Sequence, residues 1–413
     1  MIGHFDRRTF LKSAGTAVLA GGVVPRTRGL ISPEESAIPV QDEPYGSCDP
    51  KIEVDLKAIE FNVAQLRKKT GGRPILAVLK CNAYGHGLIG VARCLEKIPV
   101  EGIVVGKLNE ALALREAGIR LPILNLGPFS AADAETIVRQ SISQGVFTDD
   151  VGSLNEWAGR LKVRASVHIK VDTGLGRVGV PYDAALSYIH DVSRLPHVRI
   201  DGVFQSFSEE PELDRIQLDR FLAVTSAAKK EGLSIGLRHA SASTAIFRYG
   251  EEFYLDAVRP GISLYGHYPT SEEHQLKRLG LRPALSLKAY VAYVKTLKPG
   301  QSLSYFRKFV AEKNERIATV AMGYSDGIPQ NLAGCASALV RGRRYPFIAD
   351  VTANHSYLLV TGHSDIAPGD EVVVVGKQDQ EEISLWDLAQ SVGGSDYKIL
   401  IGLNPSLRRT YIA

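Results

Sequence analysis

The chain has 413 residues, 45% of them hydrophobic, and a formal net charge of +4 from 49 basic and 45 acidic side chains. At about 150 residues per domain that length suits two globular domains, and the mixed charges, with no basic run interleaved with aromatics, exclude a dedicated nucleic-acid binder. No stretch approaches the roughly 20 apolar residues of a membrane-spanning helix, and Cys48, Cys81, Cys94 and Cys335 have neither CxxC spacing nor a metal pattern, so no metal is expected.

Residues 1–48 read as signal and linker. Arg7-Arg8-Thr9-Phe10-Leu11-Lys12 precedes a short, glycine-containing apolar run from Ala14 to Val24. The pattern resembles a twin-arginine export signal and predicts a periplasmic or exported protein. The Pro-, Ser- and Glu-rich stretch from Arg26 to Cys48 follows as linker.

Over residues 49–280 short apolar runs alternate with amphipathic stretches. The apolar runs are Ile75–Leu79, Gly102–Val105, Pro122–Leu126, Ser141–Phe147, Ala165–Val171, Asp201–Phe204, Ile235–His239 and Asp256–Arg259; helical patterns such as Leu108–Ala117, Pro181–Ser193 and Leu213–Glu231 lie between them. Eight strand-like runs alternating with helices predict parallel βαβ units closing a (β/α)8 TIM-type barrel. The character changes near Gly280–Pro283. Residues 281–413 carry alternating strands, Leu285–Leu297, Arg316–Met322, Tyr345–Val351 and Glu371–Val375, and one helix, Leu385–Val392, with Ser384 as its N-cap. This is a second, mostly antiparallel β domain.

The run Ala77-Val78-Leu79-Lys80-Cys81-Asn82-Ala83-Tyr84-Gly85-His86-Gly87 carries the most chemistry. A lysine that ends a fully apolar strand stands at the C-terminal mouth of a barrel, where active sites lie. Partial burial there lowers its pKa and makes the amine nucleophilic, as a Schiff base to an aldehyde cofactor requires. The glycines permit a tight turn that returns the tyrosine over the strand end. The whole run closely resembles the cofactor-lysine signature of the alanine racemase family, and the resemblance extends from about Glu53 to Tyr411.

The resemblance implies a barrel that binds pyridoxal 5′-phosphate, followed by a β domain, in a homodimer with shared active sites. It implies that Lys80 holds the cofactor and serves as one catalytic base, and that Tyr84 hydrogen-bonds the phosphate. Lys170-Val171-Asp172-Thr173-Gly174-Leu175-Gly176-Arg177 follows the fifth strand. By resemblance Arg177 reaches the cofactor's phenolic oxygen and the substrate carboxylate, and Lys170 matches a lysine that is carbamylated in some members. Ser243, after the seventh strand, and Gly261 and Ile262, after the eighth, sit where barrels often bind phosphate. Arg259 matches the arginine facing the pyridine nitrogen. Because an arginine keeps its proton, it leaves that nitrogen unprotonated and favours simple proton exchange at Cα. Leu303-Ser304-Tyr305 matches the second catalytic base, which enters from the partner subunit, and Met322-Gly323-Tyr324 matches a substrate-site segment.

Three positions depart from the family. Ser206 stands where a histidine commonly lies under the pyridine ring, which predicts altered neighbours for Arg259. Thr352-Ala353-Asn354 replaces a Cys-Met-Asp type segment that binds the substrate carboxylate, and Leu403 stands in place of a phosphate-binding tyrosine. The shorter side chain at Ala353 and the lost charge at Asn354 predict a substrate range that extends from alanine to serine, lysine and arginine. Two rival readings are a decarboxylase of the same fold and a non-catalytic cofactor-binding protein. Arg259 and the Tyr-Gly-His-Gly run argue against the first. The roughly 130 residues after the barrel, with a candidate second base, argue against the second.

Overall fold

The computed structural model describes residues 48–412. The paired-arginine segment lies outside them. The strands are β1 (Lys51–Asp55), β2 (Leu76–Val78), β3 (Gly102–Val105), β4 (Ile123–Asn125), β5 (Ser143–Val146), β6 (Ala165–Asp172), β7 (Val180–Pro181), β8 (Val198–Phe204), β9 (Leu237–His239), β10 (Leu285–Leu297), β11 (Ser302–Leu303), β12 (Phe309–Val310), β13 (Glu315–Val320), β14 (Ser337–Val340), β15 (Arg343–Pro346), β16 (Ser356–Leu359), β17 (Glu371–Gln378), β18 (Glu381–Ile383) and β19 (Arg408–Ile412).

The order β2-β3-β4-β5-β6-β8-β9 is parallel throughout. Every residue of β2, β3 and β4 is buried, as expected for strands covered on both faces. The eighth stave is the segment 256–260. It closes the barrel through single bridges, Ile75 to Val258 and His239 to Ala257, and through hydrogen bonds such as Leu76 N to Val258 O and Arg259 N to Ser241 O. The helices lie outside. The longest, Pro211–Lys230, starts with proline in its first turn under a Glu210 cap and buries Leu218, Phe221, Val224 and Ala228 at helical spacing. Every catalytic candidate of the barrel therefore follows the C-terminal end of a parallel strand or lies near it.

The second sheet is built around the thirteen-residue β10, which pairs antiparallel with β1, β13 and β17. The Ser384 cap forms as expected, accepting from Asp387 N. One element differs from the sequence reading. Residues 51–55, placed within the barrel segment 49–280, pair with β10 and, in parallel, with β19. Their alternating burial suits a sheet with one wet face, and the chain enters the barrel only after that strand.

Candidate active site

Lys80 follows β2 at the barrel mouth. Immediately after it the backbone makes one left-handed turn: φ is +56° at Cys81, +56° at Asn82, +52° at Ala83 and +51° at Tyr84. Such a conformation costs roughly 1–2 kcal/mol per non-glycine residue, so the surroundings must hold it. Ala83 N donates to Leu79 O and Gly85 N to Cys81 O, and Asn82 Oδ1 accepts from Leu88 N at 2.8 Å. The glycines serve close approach as well as turning. A Cβ on Gly85 would lie 2.3 Å from Leu400 O, and one on Gly87 would lie 2.1 Å from Tyr411 Oη. The C-terminal segment thus packs directly on the lysine loop.

The turn delivers the buried Tyr84 ring against Tyr265, centroids 5.1 Å apart. A Cβ on Gly261 would lie 2.3 Å from Tyr84 Oη, so only glycine leaves that hydroxyl in place. Ser243 Oγ accepts from Gly261 N at 3.0 Å. Tyr84, Ser243, Gly261 and Ile262 line one cavity of about 510 Å³ together with Lys80, Arg177 and Arg259. A cradle of hydroxyls and backbone N–H groups beside a strand-end lysine fits pyridoxal phosphate, whose phosphate takes neutral donors and whose aldehyde takes the amine.

Arg259 is buried, and burial lowers its pKa to about 9, so it keeps its proton at neutral pH. Its anchors are neutral: Nη1 meets His239 Nδ1 at 2.8 Å, and Nη2 donates to Gln205 O at 2.7 Å and Ala240 O at 2.9 Å. Lys170 is buried too. Its Nζ donates to Ser206 Oγ at 3.0 Å, and its pKa lies well below the usual lysine range, first through burial and then through the charges of Arg259 and Arg177. The serine substitution therefore acts on Lys170. Arg259 has no bond to Ser206 and is held by His239 and two carbonyls.

Tyr305, Tyr324, Ala353 and Asn354 do not line this cavity. Tyr305 is 71% exposed on a short turn after β11. Tyr324 N donates to Thr352 O, Ser325 N to Ala353 O, and Asn354 Nδ2 to Ser325 Oγ at 3.1 Å. The Tyr324 and Ala353-Asn354 segments thus form one cluster in turns of the second domain, outside the cavity lining.

Sequence reasoning missed Tyr397. It lines the cavity from the helix Asp396–Gly402, with its ring 5.9 Å from Lys80 Nζ and 5.3 Å from Tyr84. Leu403 is buried, its side chain reaching toward Gly85. The phenol expected to be lost at Leu403 is thus supplied by Tyr397, six residues earlier in the chain. The local signal was the Ser395-Asp396 start of a helix packed on the Gly85 loop, which no short motif carries.

Residues 54–269 match the family description "alanine racemase, N-terminal domain", and residues 284–411 match "alanine racemase, C-terminal domain". The chain is 33% identical over 366 residues to alanine racemase 1 of Clostridium acetobutylicum, covering 87% of this chain and 94% of that one. It is 36% identical over 365 residues to alanine racemase of Clostridium perfringens, with the same coverage. Among solved structures, alanine racemase from a D-cycloserine-producing Streptomyces lavendulae superposes with a TM-score of 0.84 at 30% identity, over 89% of this chain and 98% of that one. The Bacillus anthracis alanine racemase gives 0.80 at 31%, over 90% and 96%. These likenesses overturn the export expectation: alanine racemases of this kind are typically cytoplasmic.

Proposed function

This chain belongs to the alanine racemase family and is a pyridoxal-phosphate-dependent amino-acid racemase, and we propose that its two bases are Lys80 and Tyr305 of the partner subunit, acting on opposite faces of the substrate Cα. One observation carries this reading. The cavity of a single chain gathers Lys80, the phosphate cradle and Arg259, while Tyr305 stands exposed outside it. A second copy would complete the site, which makes the functional unit a homodimer.

When bound, pyridoxal phosphate withdraws electrons from the substrate Cα and so lowers the barrier to losing the α-proton. Tyr84, Ser243 and the Gly261–Ile262 backbone would hold the phosphate end. Arg259 would stand at the pyridine nitrogen with its own proton kept, which would limit charge build-up and favour return of a proton over other outcomes. Lys80 Nζ takes the α-proton of the D-isomer, and Tyr305 Oη of the partner subunit gives one to the other face. The reverse direction exchanges the two roles. Arg177 binds the substrate carboxylate region, with Tyr324, Ala353 and Asn354 of the partner's second sheet lining the rest. Lys170 is the position for a carbamate: burial first, then the charges of Arg259 and Arg177, hold its amine below the usual lysine range, so the free base can add to carbon dioxide with loss of a proton, and the carbamate turns a cation into an anion that orients Arg177.

The substrate range is proposed to extend from alanine to serine, lysine and arginine, because Ala353 and Asn354 are smaller or less charged than the side chains they replace. A hydrophobic pocket separates substrates by only about 1–3 kcal/mol per methylene, so a widened one admits larger side chains. Chiral chromatography after incubation with each amino acid tests both levels. The expected result is that L- and D-alanine converge to equal amounts, and that Ala353→Met lowers kcat/KM for lysine and arginine relative to alanine. Carbon dioxide release without racemisation points to the decarboxylase instead. Wild-type turnover of alanine alone, with ratios unchanged in Ala353→Met, removes the wider range.

A further inference from the structure

A file of three groups runs from the barrel mouth into its interior. Arg259 Nη1 meets His239 Nδ1 at 2.8 Å, and His239 Nε2 meets His168 Nδ1 at 2.8 Å. His168 is buried on β6, between Gly145 of β5 and Gly202 of β8 in the strand register. A Cβ on Gly202 would lie 2.3 Å from His168 Nδ1, so that glycine reserves the space for the ring.

Hydrogen-bond logic fixes every proton in the file. A guanidinium only donates. His239 Nδ1 must therefore accept and carry no proton. A neutral His239 then has its proton on Nε2 and donates it to His168 Nδ1, which must also be bare, so the proton of His168 is on Nε2. Both rings are neutral. Burial depresses them first, holding His168 at about 4 against the Asp201 charge and His239 well below the ordinary histidine value, and the Arg259 charge adds to the depression of each ring. The stacked Phe204 ring, parallel to His239 within 4° at 5.1 Å, keeps the imidazole plane fixed.

Resting on the reading that Arg259 faces the pyridine nitrogen, we propose that His168 is a positioning residue for the reaction: by accepting from His239 it locks the tautomer that lets His239 accept from Arg259. Three guanidinium hydrogens are spent on His239, Gln205 O and Ala240 O, which leaves the remaining two of the five for the cavity. Without an acceptor at position 168, His239 Nε2–H is buried and unsatisfied. Nothing on that side then fixes the tautomer, and a ring with its proton on Nδ1 sets N–H against N–H at Arg259. The guanidinium has no carboxylate to hold it and turns.

The test uses the cofactor-loaded enzyme with His168→Leu and His168→Asn, whose amide oxygen lies close to the Nδ1 position. In His168→Leu, kcat for alanine is expected to fall between about tenfold and a hundredfold, with KM within about twofold and a displaced absorption band of the bound cofactor. His168→Asn restores both. Unchanged kcat and band in a folded His168→Leu enzyme overturn the proposal. Equal losses in both variants with an unmoved band also overturn it, because they mark a packing role only. If His168→Leu does not fold, 15N NMR of the wild-type ring nitrogens decides: a bare Nδ1 on both histidines upholds the file, and a protonated His168 Nδ1 refutes it. A wild-type protein with no cofactor band would instead remove the underlying reading of the site.

Discussion

At Gly261 the absence of a side chain shapes the phosphate end of the cavity. An added methyl would lie 2.3 Å from Tyr84 Oη and 3.0 Å from its Cζ, so Gly261→Ala must displace the tyrosine. Losing one hydrogen bond to a charged group costs about 1.5–3 kcal/mol, so the cofactor dissociation constant is expected to rise at least tenfold, with the far-ultraviolet circular dichroism unchanged. Titration of apo-enzyme followed by absorbance measures it, and unaltered affinity would mean that Tyr84 does not touch the phosphate. Of the residues in this site, Lys80, Tyr84, Ser243, Arg259 and Gly261 were legible because each sits in a short run at a strand end. Tyr397 was not. It reaches the cavity from a helix that only the folded C-terminal segment brings there, and an isolated tyrosine two residues into a helix carries no local mark. The file through His239 to His168 was equally hidden, because it depends on which ring nitrogens face each other across strands.

Among the elements, the left-handed turn at 81–84 is the one on which the chemistry depends most. Gly85 and Gly87 take positive φ, +80° and +94°, as expected, but the four residues before them, Cys81, Asn82, Ala83 and Tyr84, do so as well, types without strong preference for that region apart from asparagine. Its stability therefore comes from contacts that sequence does not announce, chiefly Asn82 Oδ1 capping Leu88 N. Asn82→Ala is expected to cost about 1–2 kcal/mol through the lost cap and the poorer backbone fit. Urea unfolding of the apo-enzyme measures this, and a variant as stable as wild type would show that the turn holds itself. The barrel strands were easier to read, since strands buried on both faces appear as unbroken apolar runs, and β10 runs over Leu285–Leu297 as expected. β1 was not singled out as a strand and fell within the barrel segment 49–280, because its five alternating residues say only that one face is wet, and its partners β10 and β19 lie far along the chain.

For the molecule as a whole, buried neutral histidines set the response to acid. Burial holds His86 at about 3 and His168 and His267 at about 4, and it lowers His239 as well. Each is bare in the folded state and takes a proton near 6.5 when unfolded. The unfolded chain thus binds more protons between pH 6.5 and about 4, and stability falls as pH falls through that window, by about 3 kcal/mol at most for a group such as His168. The urea midpoint is expected to drop from pH 7 to pH 4.5, less steeply in His168→Asn; a flat profile would contradict the neutral core. The larger consequence concerns two copies of the chain. In the proposed dimer one copy would supply the lysine, the cradle and the arginine, and the other the exposed Tyr305. Lys80→Ala and Tyr305→Phe are each expected to be inactive as pure preparations. Mixed under conditions where subunit exchange is demonstrated, they form dimers in which one site holds both wild-type groups, and racemisation of alanine should reappear at about a quarter of the wild-type rate, since half of the dimers are mixed and each has one intact site of two. No recovery on mixing, with exchange established, would mean that the two bases do not come from different chains.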